Sequence, residues 1–168
     1  MDPNLKLSQF VKLKEVTKSD TAIRAGIDNS PTEEHLEKLK LLCTKVFDPL
    51  RSHFNRPIGI SSGYRSKALN DAVKGASLTS QHCKGEAIDI DADIFDNITN
   101  KELFEYIKDN LDFDQLICEY PNKQGEPSWV HVSYSTKRNR KQVLIAYKLN
   151  GKVVYLPYSK ENLIIASK

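Results

Sequence analysis

Two of the four histidines in this 168-residue chain lie in surroundings that suit a metal site. His82 precedes a tight turn at Gly85, after which Asp89 falls on a strand-like stretch, so the carboxylate can approach the imidazole. His131 lies in the strand-like segment 129–133. Two imidazoles and one carboxylate can hold zinc and leave a fourth position for water, as catalytic zinc requires. Histidine and aspartate also form ordinary hydrogen-bonded pairs, so the spacing alone leaves both interpretations open.

The other two histidines and the cysteines are weaker candidates for a functional site. His35 and His53 fall in polar surroundings and are interpreted as surface residues. The chain has three cysteines, Cys43, Cys83 and Cys118. An odd number without C-x-x-C spacing predicts reduced thiols rather than a disulfide framework. Cys83 is not counted as a metal ligand, because neighbouring residues of an extended chain point in opposite directions.

Hydrophobic periodicity predicts the helices that surround these residues. Thr32 is suited to cap a helix about 18 residues long, since acidic residues and then an apolar stripe follow it as far as Leu50. A second helix is predicted over residues 101–110 with Asn100 as its N-cap, and a shorter one over residues 66–73. The longest predicted helix thus precedes the candidate metal ligands.

Alternating apolar residues predict strands over residues 57–63, 87–91, 114–120, 129–134, 143–149 and 152–156. The Asn150-Gly151 pair between the last two is typical of a type I′ hairpin turn. Helices early in the chain and strands late in it indicate an α+β fold, with helices packed on an antiparallel sheet. The length fits a single domain over residues 1–168.

The charge balance gives little support to a nucleic-acid partner. Lysine and arginine total 25 against 22 acidic residues, a net charge of +3, and the lysines are spread along the chain. The most basic run, residues 137–141, is interpreted as a solvated hairpin turn, with attraction to an anionic cell wall or membrane surface as the alternative. No stretch reads as a signal peptide or a membrane span.

The sequence around the candidate ligands resembles a known enzyme family. Residues 80–89 match S-x-H-x-x-G-x-A-x-D, the metal motif of the D-alanyl-D-alanine carboxypeptidase group of zinc peptidases, the M15 peptidases, which include phage endolysins. Residues 60–66 resemble the S-G-Y-R-S segment that precedes this motif, and residues 129–131 resemble the segment that carries the last ligand. The motif-bearing core covers residues 57–134 in the family's order.

The resemblance implies both a cofactor and a fold. It implies that His82, Asp89 and His131 bind one zinc ion per chain. It also implies an α+β fold similar to the one these peptidases share with the hedgehog signalling domain. A single zinc peptidase domain is therefore expected over residues 1–168.

The chain departs from the family pattern at the catalytic acid. Several members place glutamate three residues before the last histidine, but Ser128 occupies that position here and cannot act as a base. Glu119 and Glu126 are the candidates. If strand 114–120 pairs with the strand of His131, alternation places Glu119 on the face that carries His131, whereas Glu126 lies in a loop. We favour Glu119 as the base and keep Glu126 as the alternative.

Arg65 and Ser80 are candidate substrate-binding residues. A guanidinium at the end of a strand can hold a carboxylate through two parallel hydrogen bonds, and the resemblance implies that Arg65 binds substrate. A structural salt bridge is the alternative role for Arg65. Ser80 and Tyr64 are placed to add hydrogen bonds near the metal or to support the loop.

These residues predict hydrolysis of a peptide bond without a covalent intermediate, since no serine in the chain has the usual neighbours of an activated nucleophile. The resemblance implies peptidoglycan stem peptides as substrate, with the terminal D-Ala-D-Ala bond favoured and the L-Ala-D-Glu bond as the alternative. A zinc-containing binding module without activity is a third hypothesis, and a metal-free interaction protein is a fourth. We expect a monomer that is made in the cytoplasm without a signal peptide and acts on the cell wall, for example after lysis by a phage.

Overall fold

The protein forms one six-stranded sheet that carries helices on one face. A computed structural model describes all of residues 1–168. The strands are β1 (Gly59–Ser62), β2 (Ala87–Asp91), β3 (Gln115–Glu119), β4 (Trp129–Ser133), β5 (Gln142–Leu149) and β6 (Lys152–Pro157). The helices are α1 (Leu13–Thr17), α2 (Asp20–Ala25), α3 (Glu33–Leu42), α4 (Asp48–Phe54), α5 (Lys67–Ala72), α6 (Asn100–Asn110) and α7 (Lys160–Ala166). The predicted α+β class is confirmed. None of the helices is long and apolar enough to cross a membrane.

The strand order is β1-β2-β4-β3-β5-β6, and every neighbouring pair is antiparallel except β3 and β5, which are parallel. The predicted antiparallel sheet is confirmed, with this one parallel pair inside it. Because β3 lies between β4 and β5, residues 134–141 form a crossover rather than the predicted hairpin turn. The hairpin predicted at Asn150-Gly151 is confirmed, with φ angles of 51° and 78°.

Alternation along the three central strands separates a core face from an open face. Ile88 and Ile90 of β2, Leu116 and Cys118 of β3, and Val130 and Val132 of β4 join a core cluster of 25 buried residues. Leucines of α3 and apolar residues of α6 belong to the same cluster. The residues between them, Asp89, Ile117, Glu119 and His131, therefore point to the opposite face. The hydrophobic core and the candidate metal ligands therefore lie on opposite faces of one sheet.

The long predicted helix is present but is interrupted. Thr32 caps α3 as predicted, its hydroxyl accepting the His35 N–H at 3.2 Å. A π-helical turn, Cys43–Phe47, joins α3 to α4, and the Asp48 N–H donates to the carbonyl of Cys43, five residues back. Pro49 follows directly; it has no N–H, and its ring would clash with the carbonyl four residues back in a regular helix. The wider turn relieves that clash.

The predicted start of the second helix was wrong by one residue. Thr99 rather than Asn100 is the N-cap, because Thr99 and Glu102 form a reciprocal capping box. The Asn100 side chain is instead 1% exposed and links neighbouring segments, accepting the Ala92 N–H and donating to the Ser128 carbonyl. Asn100 therefore ties the start of α6 to the loop that precedes β4.

Candidate metal centre

Three side chains converge on the open face of the sheet. Asp89 on β2 and His131 on β4 are direct cross-strand partners, and their side chains share one face. His82 lies in a 3-10 turn, Gln81–Lys84, just before β2. The distance from His131 Nδ1 to Asp89 Oδ1 is 2.8 Å, that from His82 Nε2 to His131 Nδ1 is 3.2 Å, and that from His82 Nε2 to Asp89 Oδ1 is 3.3 Å. The structure thus brings together the three residues that the sequence singled out.

The backbone directly after β1 fixes the tautomer of His82. The Nδ1 atom of His82 lies 2.6 Å from the carbonyl oxygen of Gly63, which can only accept, so Nδ1 carries the proton. A neutral His82 therefore has the lone pair of Nε2 available for a metal ion on the side of Asp89 and His131. Gly63 is required at this point, since a Cβ there would lie 2.3 Å from the carbonyl oxygen of Val16.

The glycine of the metal motif has a similar role. Gly85 ends the turn of His82 with φ at 69°, in the left-handed region that favours glycine. A Cβ at this position would lie 2.5 Å from the carbonyl oxygen of His35 in α3. The turn can therefore pack closely on α3 and direct the chain back into β2, as the sequence predicted.

The donor set fits zinc. In a tetrahedral zinc site with ligand distances of about 2.0–2.1 Å, neighbouring ligand atoms lie roughly 3.3 Å apart, close to two of the three separations here. Two imidazole nitrogens and one carboxylate oxygen are also the ligands of several catalytic zinc sites, whereas calcium and magnesium prefer oxygen atoms. His82, Asp89 and His131 form the chain's group of residues that could hold a metal ion.

The two imidazoles keep Asp89 ionised. Burial alone would raise the pKa of the Asp89 carboxyl group, but His82 and His131 together outweigh burial and hold that pKa well below its usual range. An ionised carboxylate is the form that binds a metal ion. Asp89 is therefore available as an anionic metal ligand near neutral pH.

A cleft of about 1230 Å³ opens over this face of the sheet. Its volume exceeds that of most small-molecule pockets, so an extended peptide can fit. The lining residues that carry charge or an aromatic ring are Lys38, Arg65, Lys74, His82, Lys84, Glu86, Asp89, Asp114, Glu119, Tyr120, Trp129, His131, Lys137, Arg138, Arg140 and Tyr155.

Glu119 lies in this cleft on the strand next to His131. The predicted pairing of β3 with β4 is confirmed, with Ile117 opposite His131 and Glu119 opposite Trp129. The Glu119 residue is 8% exposed, and its carboxylate has no hydrogen-bond donor. Burial raises the pKa of Glu119 to about 7, although the nearby His131 opposes the rise. A carboxyl group with a pKa near neutrality can both accept and return a proton.

Glu126 has a structural role. Its Oε1 atom accepts the backbone N–H of Lys101 in the first turn of α6 at 2.8 Å, where a negative charge is favoured. It does not line the cleft. Ser128, at the position that holds glutamate in several family members, donates its hydroxyl to the carbonyl of Tyr120.

Arg65 lines the cleft without an anionic partner. Its backbone N–H donates to the carbonyl of His82 at 3.2 Å, which places it beside the candidate metal ligands. Its Nε atom is buried and has no hydrogen-bond acceptor, and no carboxylate lies within ion-pair distance. The alternative role in a structural salt bridge is thus not what the structure shows. Ser80 also lines the cleft, while Tyr64 turns away, its hydroxyl lying 3.1 Å from His35 Nδ1.

A comparison with protein families decides the wider assignment. The family model described as Peptidase M15 matches residues 9–133, about three quarters of the chain. The chain belongs to the M15 peptidase family. A comparison with curated proteins finds no match. M15 peptidases are zinc enzymes, so this M15 peptidase is a metallopeptidase. That one peptidase domain spans residues 1–168 stays a prediction, because the match ends at residue 133.

The sequence did not single out two cleft residues of this M15 peptidase. Tyr155 on β6 lies in register with Glu119 across Ala146 of β5, and burial raises the pKa of its phenol, which Glu119 raises further. Tyr155 is therefore a protonated hydrogen-bond donor facing the cleft. Asp114 is 3% exposed and accepts hydrogen bonds from both Gln81 and Arg140, so it joins the turn of His82 to the segment before β5. Only the strand alternation at residue 155 gave any sign of either role.

Proposed function

We propose that this M15 peptidase is a zinc enzyme that cleaves stem peptides of peptidoglycan at the terminal D-Ala-D-Ala bond. His82, Asp89 and His131 would hold one zinc ion. The observation that carries the proposal is that three converging metal ligands, a buried carboxyl group and an unpaired guanidinium lie in one cleft. A free carboxylate at the end of the substrate is the partner that Arg65 lacks.

Each of the cleft residues has its own role in the proposed reaction. When bound, zinc supplies a Lewis acid that polarises the scissile carbonyl group and favours loss of a proton from water. Glu119 accepts the proton of the attacking water and then delivers it to the leaving amine. Arg65 holds the substrate carboxylate, which fixes the scissile bond relative to Glu119. Low exposure of Glu119 limits competition from solvent.

Glu119 is the better base than Glu126 on two grounds. Glu119 projects from a paired strand on the same face as His131, so the backbone holds it at the centre. The Glu126 carboxylate accepts a hydrogen bond from the N-terminus of α6, and it would have to break that bond in order to act as the base. The second observation was not accessible from the sequence.

Digestion of purified muropeptides, followed by mass measurement of the products, tests the proposed function. Loss of a single alanine from a pentapeptide is the expected result. Release of the whole stem after the first alanine would identify the L-Ala-D-Glu endopeptidase instead. Intact muropeptides after incubation with zinc-loaded protein would favour the binding module without activity.

Arg65→Ala should lower kcat/KM by about 10-fold to 100-fold, since a hydrogen bond to a charged group contributes about 1.5–3 kcal/mol. Bound zinc should be unchanged, because Arg65 contacts the His82 carbonyl only through its backbone. Steady-state kinetics and metal analysis of the same preparation measure both quantities.

Arg56→Ala is the matched control for that variant. Arg56 is exposed, forms no ion pair and does not line the cleft, so its loss should leave kcat/KM within about twofold. Equal effects of the two substitutions would show that Arg65 contributes only general positive charge.

A further inference from the structure

The basic run that the sequence assigned to a hairpin turn has a defined place beside the metal centre. We call residues 134–141, between β4 and β5, the basic loop. It begins directly after Ser133, two residues beyond His131 along β4. At about 3.4 Å per strand residue, the start of the basic loop, Tyr134, lies about 10 Å from His131. That distance corresponds to about three residues of an extended peptide in the cleft.

A buried carboxylate anchors the basic loop. The Asp114 side chain is 4% exposed and accepts two hydrogen bonds from the Arg140 guanidinium, at 2.7 Å and 2.6 Å. Asp114 also accepts from Gln81 Nε2 at 3.0 Å, and Gln81 is the neighbour of His82 in the 3-10 turn. A bidentate pair at a buried carboxylate is geometrically specific. The basic loop and the turn of His82 are therefore held by one residue.

The anchoring leaves two cations of the basic loop free. Arg140 is committed to Asp114, whereas Lys137 and Arg138 line the cleft and pair with no carboxylate. Three more lining cations, Arg65, Lys74 and Lys84, also pair with no carboxylate. Ionised carboxylates in the cleft are already engaged, Glu86 with Lys38 and Asp89 with the imidazoles. The cleft therefore has an excess of unpaired positive charge, to which the basic loop contributes two cations.

The proposed function explains only one of these free cations. Arg65 is assigned to the carboxylate next to the scissile bond. Lys137 and Arg138 lie after residue 133, where the match to the M15 family ends, so they belong to a part of this chain that the family pattern does not describe. Unpaired cations held beside a cleft attract a second anionic group of the same substrate.

We infer that the basic loop is a second anion subsite, in which Lys137 and Arg138 bind a carboxylate about three residues away from the scissile bond. The inference rests on the proposed function for the identity of the peptide. In a stem peptide that group is the α-carboxylate of D-glutamate, while Arg65 holds the terminal carboxylate. The subsite selects peptides in which this group is a free carboxylate over those in which it is a carboxamide.

Two synthetic pentapeptides test the subsite. Both have the sequence L-Ala-γ-D-Glu-L-Lys-D-Ala-D-Ala, and they differ only in a free or amidated α-carboxyl group on D-glutamate. Binding to the full zinc-loaded chain carrying Glu119→Gln, which stops turnover under the proposed mechanism, is measured by titration calorimetry. The free carboxylate should bind about fivefold more tightly, as expected for two solvent-exposed ion pairs.

Substitution of the loop should remove that preference. In Lys137→Gln with Arg138→Gln, the two peptides should bind equally, and the Kd of the amidated peptide should not change. Lys18→Gln with Lys123→Gln is the control of equal net charge, because both lysines are exposed, unpaired and outside the cleft, and it should keep the preference.

Three outcomes would overturn the subsite. These are equal binding of the two peptides to the unsubstituted loop, a similar loss of affinity for both peptides in the loop variant, and no binding of either peptide. The second outcome would indicate general attraction to polyanions. Binding with the expected preference, but without cleavage by the protein that retains Glu119, would reject the proposed function and leave the subsite intact.

Discussion

His82→Ala is expected to lower zinc affinity by at least ~10²-fold and to abolish measurable hydrolysis. Loss of an outer hydrogen-bond partner of a metal ligand already costs about 10-fold to 100-fold in affinity or activity, so removal of a ligand should cost more. Protein that has never met a chelator should carry about one zinc ion per chain, and the variant should carry almost none after gel filtration. Elemental analysis of both preparations gives the measurement.

His53→Ala is the control for a change in histidine content. His53 is exposed, stacks on Tyr106 with ring centroids 3.9 Å apart and does not line the cleft, so zinc content and activity should be retained. A His82 variant that still carries one tightly bound zinc ion would show that the three converging side chains are not the metal site.

Glu119→Gln is expected to lower kcat by at least ~10²-fold while zinc stays bound. The amide fills the same space but cannot accept a proton from the attacking water, and general base catalysis contributes about 10²-fold to 10⁴-fold. Glu126→Gln provides the matched control, since it removes the same charge from the N-terminus of α6 and should change kcat by less than about threefold. If the two variants exchanged these effects, the base would be Glu126.

The pH dependence of the reaction should follow the same carboxyl group. Burial raises the pKa of Glu119 to about 7, and the base must be deprotonated, so kcat/KM should fall as the pH drops through that pKa. A cation bound by the neighbouring ligands favours the ionised carboxylate and moves this acidic limb below 7. Glu119→Gln should remove the limb from the residual activity, whereas Arg65→Ala should keep it.

Local patterns in the sequence predicted most of the elements. The Thr32 cap, the Asn150-Gly151 hairpin and the pairing of β3 with β4 all depend on neighbouring residues, and each is confirmed. The error at Asn100 arose because its side chain bonds the Ala92 N–H and the Ser128 carbonyl, while Thr99 caps α6. The Ser128 partner lies 28 residues away, in a segment that a local pattern does not contain.

The sequence by itself singled out the candidate metal ligands, because His82, Gly85 and Asp89 lie in the ten-residue motif 80–89 and His131 lies in a strand with a local alternation. Only the tertiary structure decided what surrounds them. It commits Glu126 to α6, leaves Arg65 without an anionic partner, and brings the basic loop into the cleft through Asp114. The position of β3 between β4 and β5 makes that crossover necessary. Such pairings form between segments distant in sequence, and their energy depends on packing that no periodicity along the chain records.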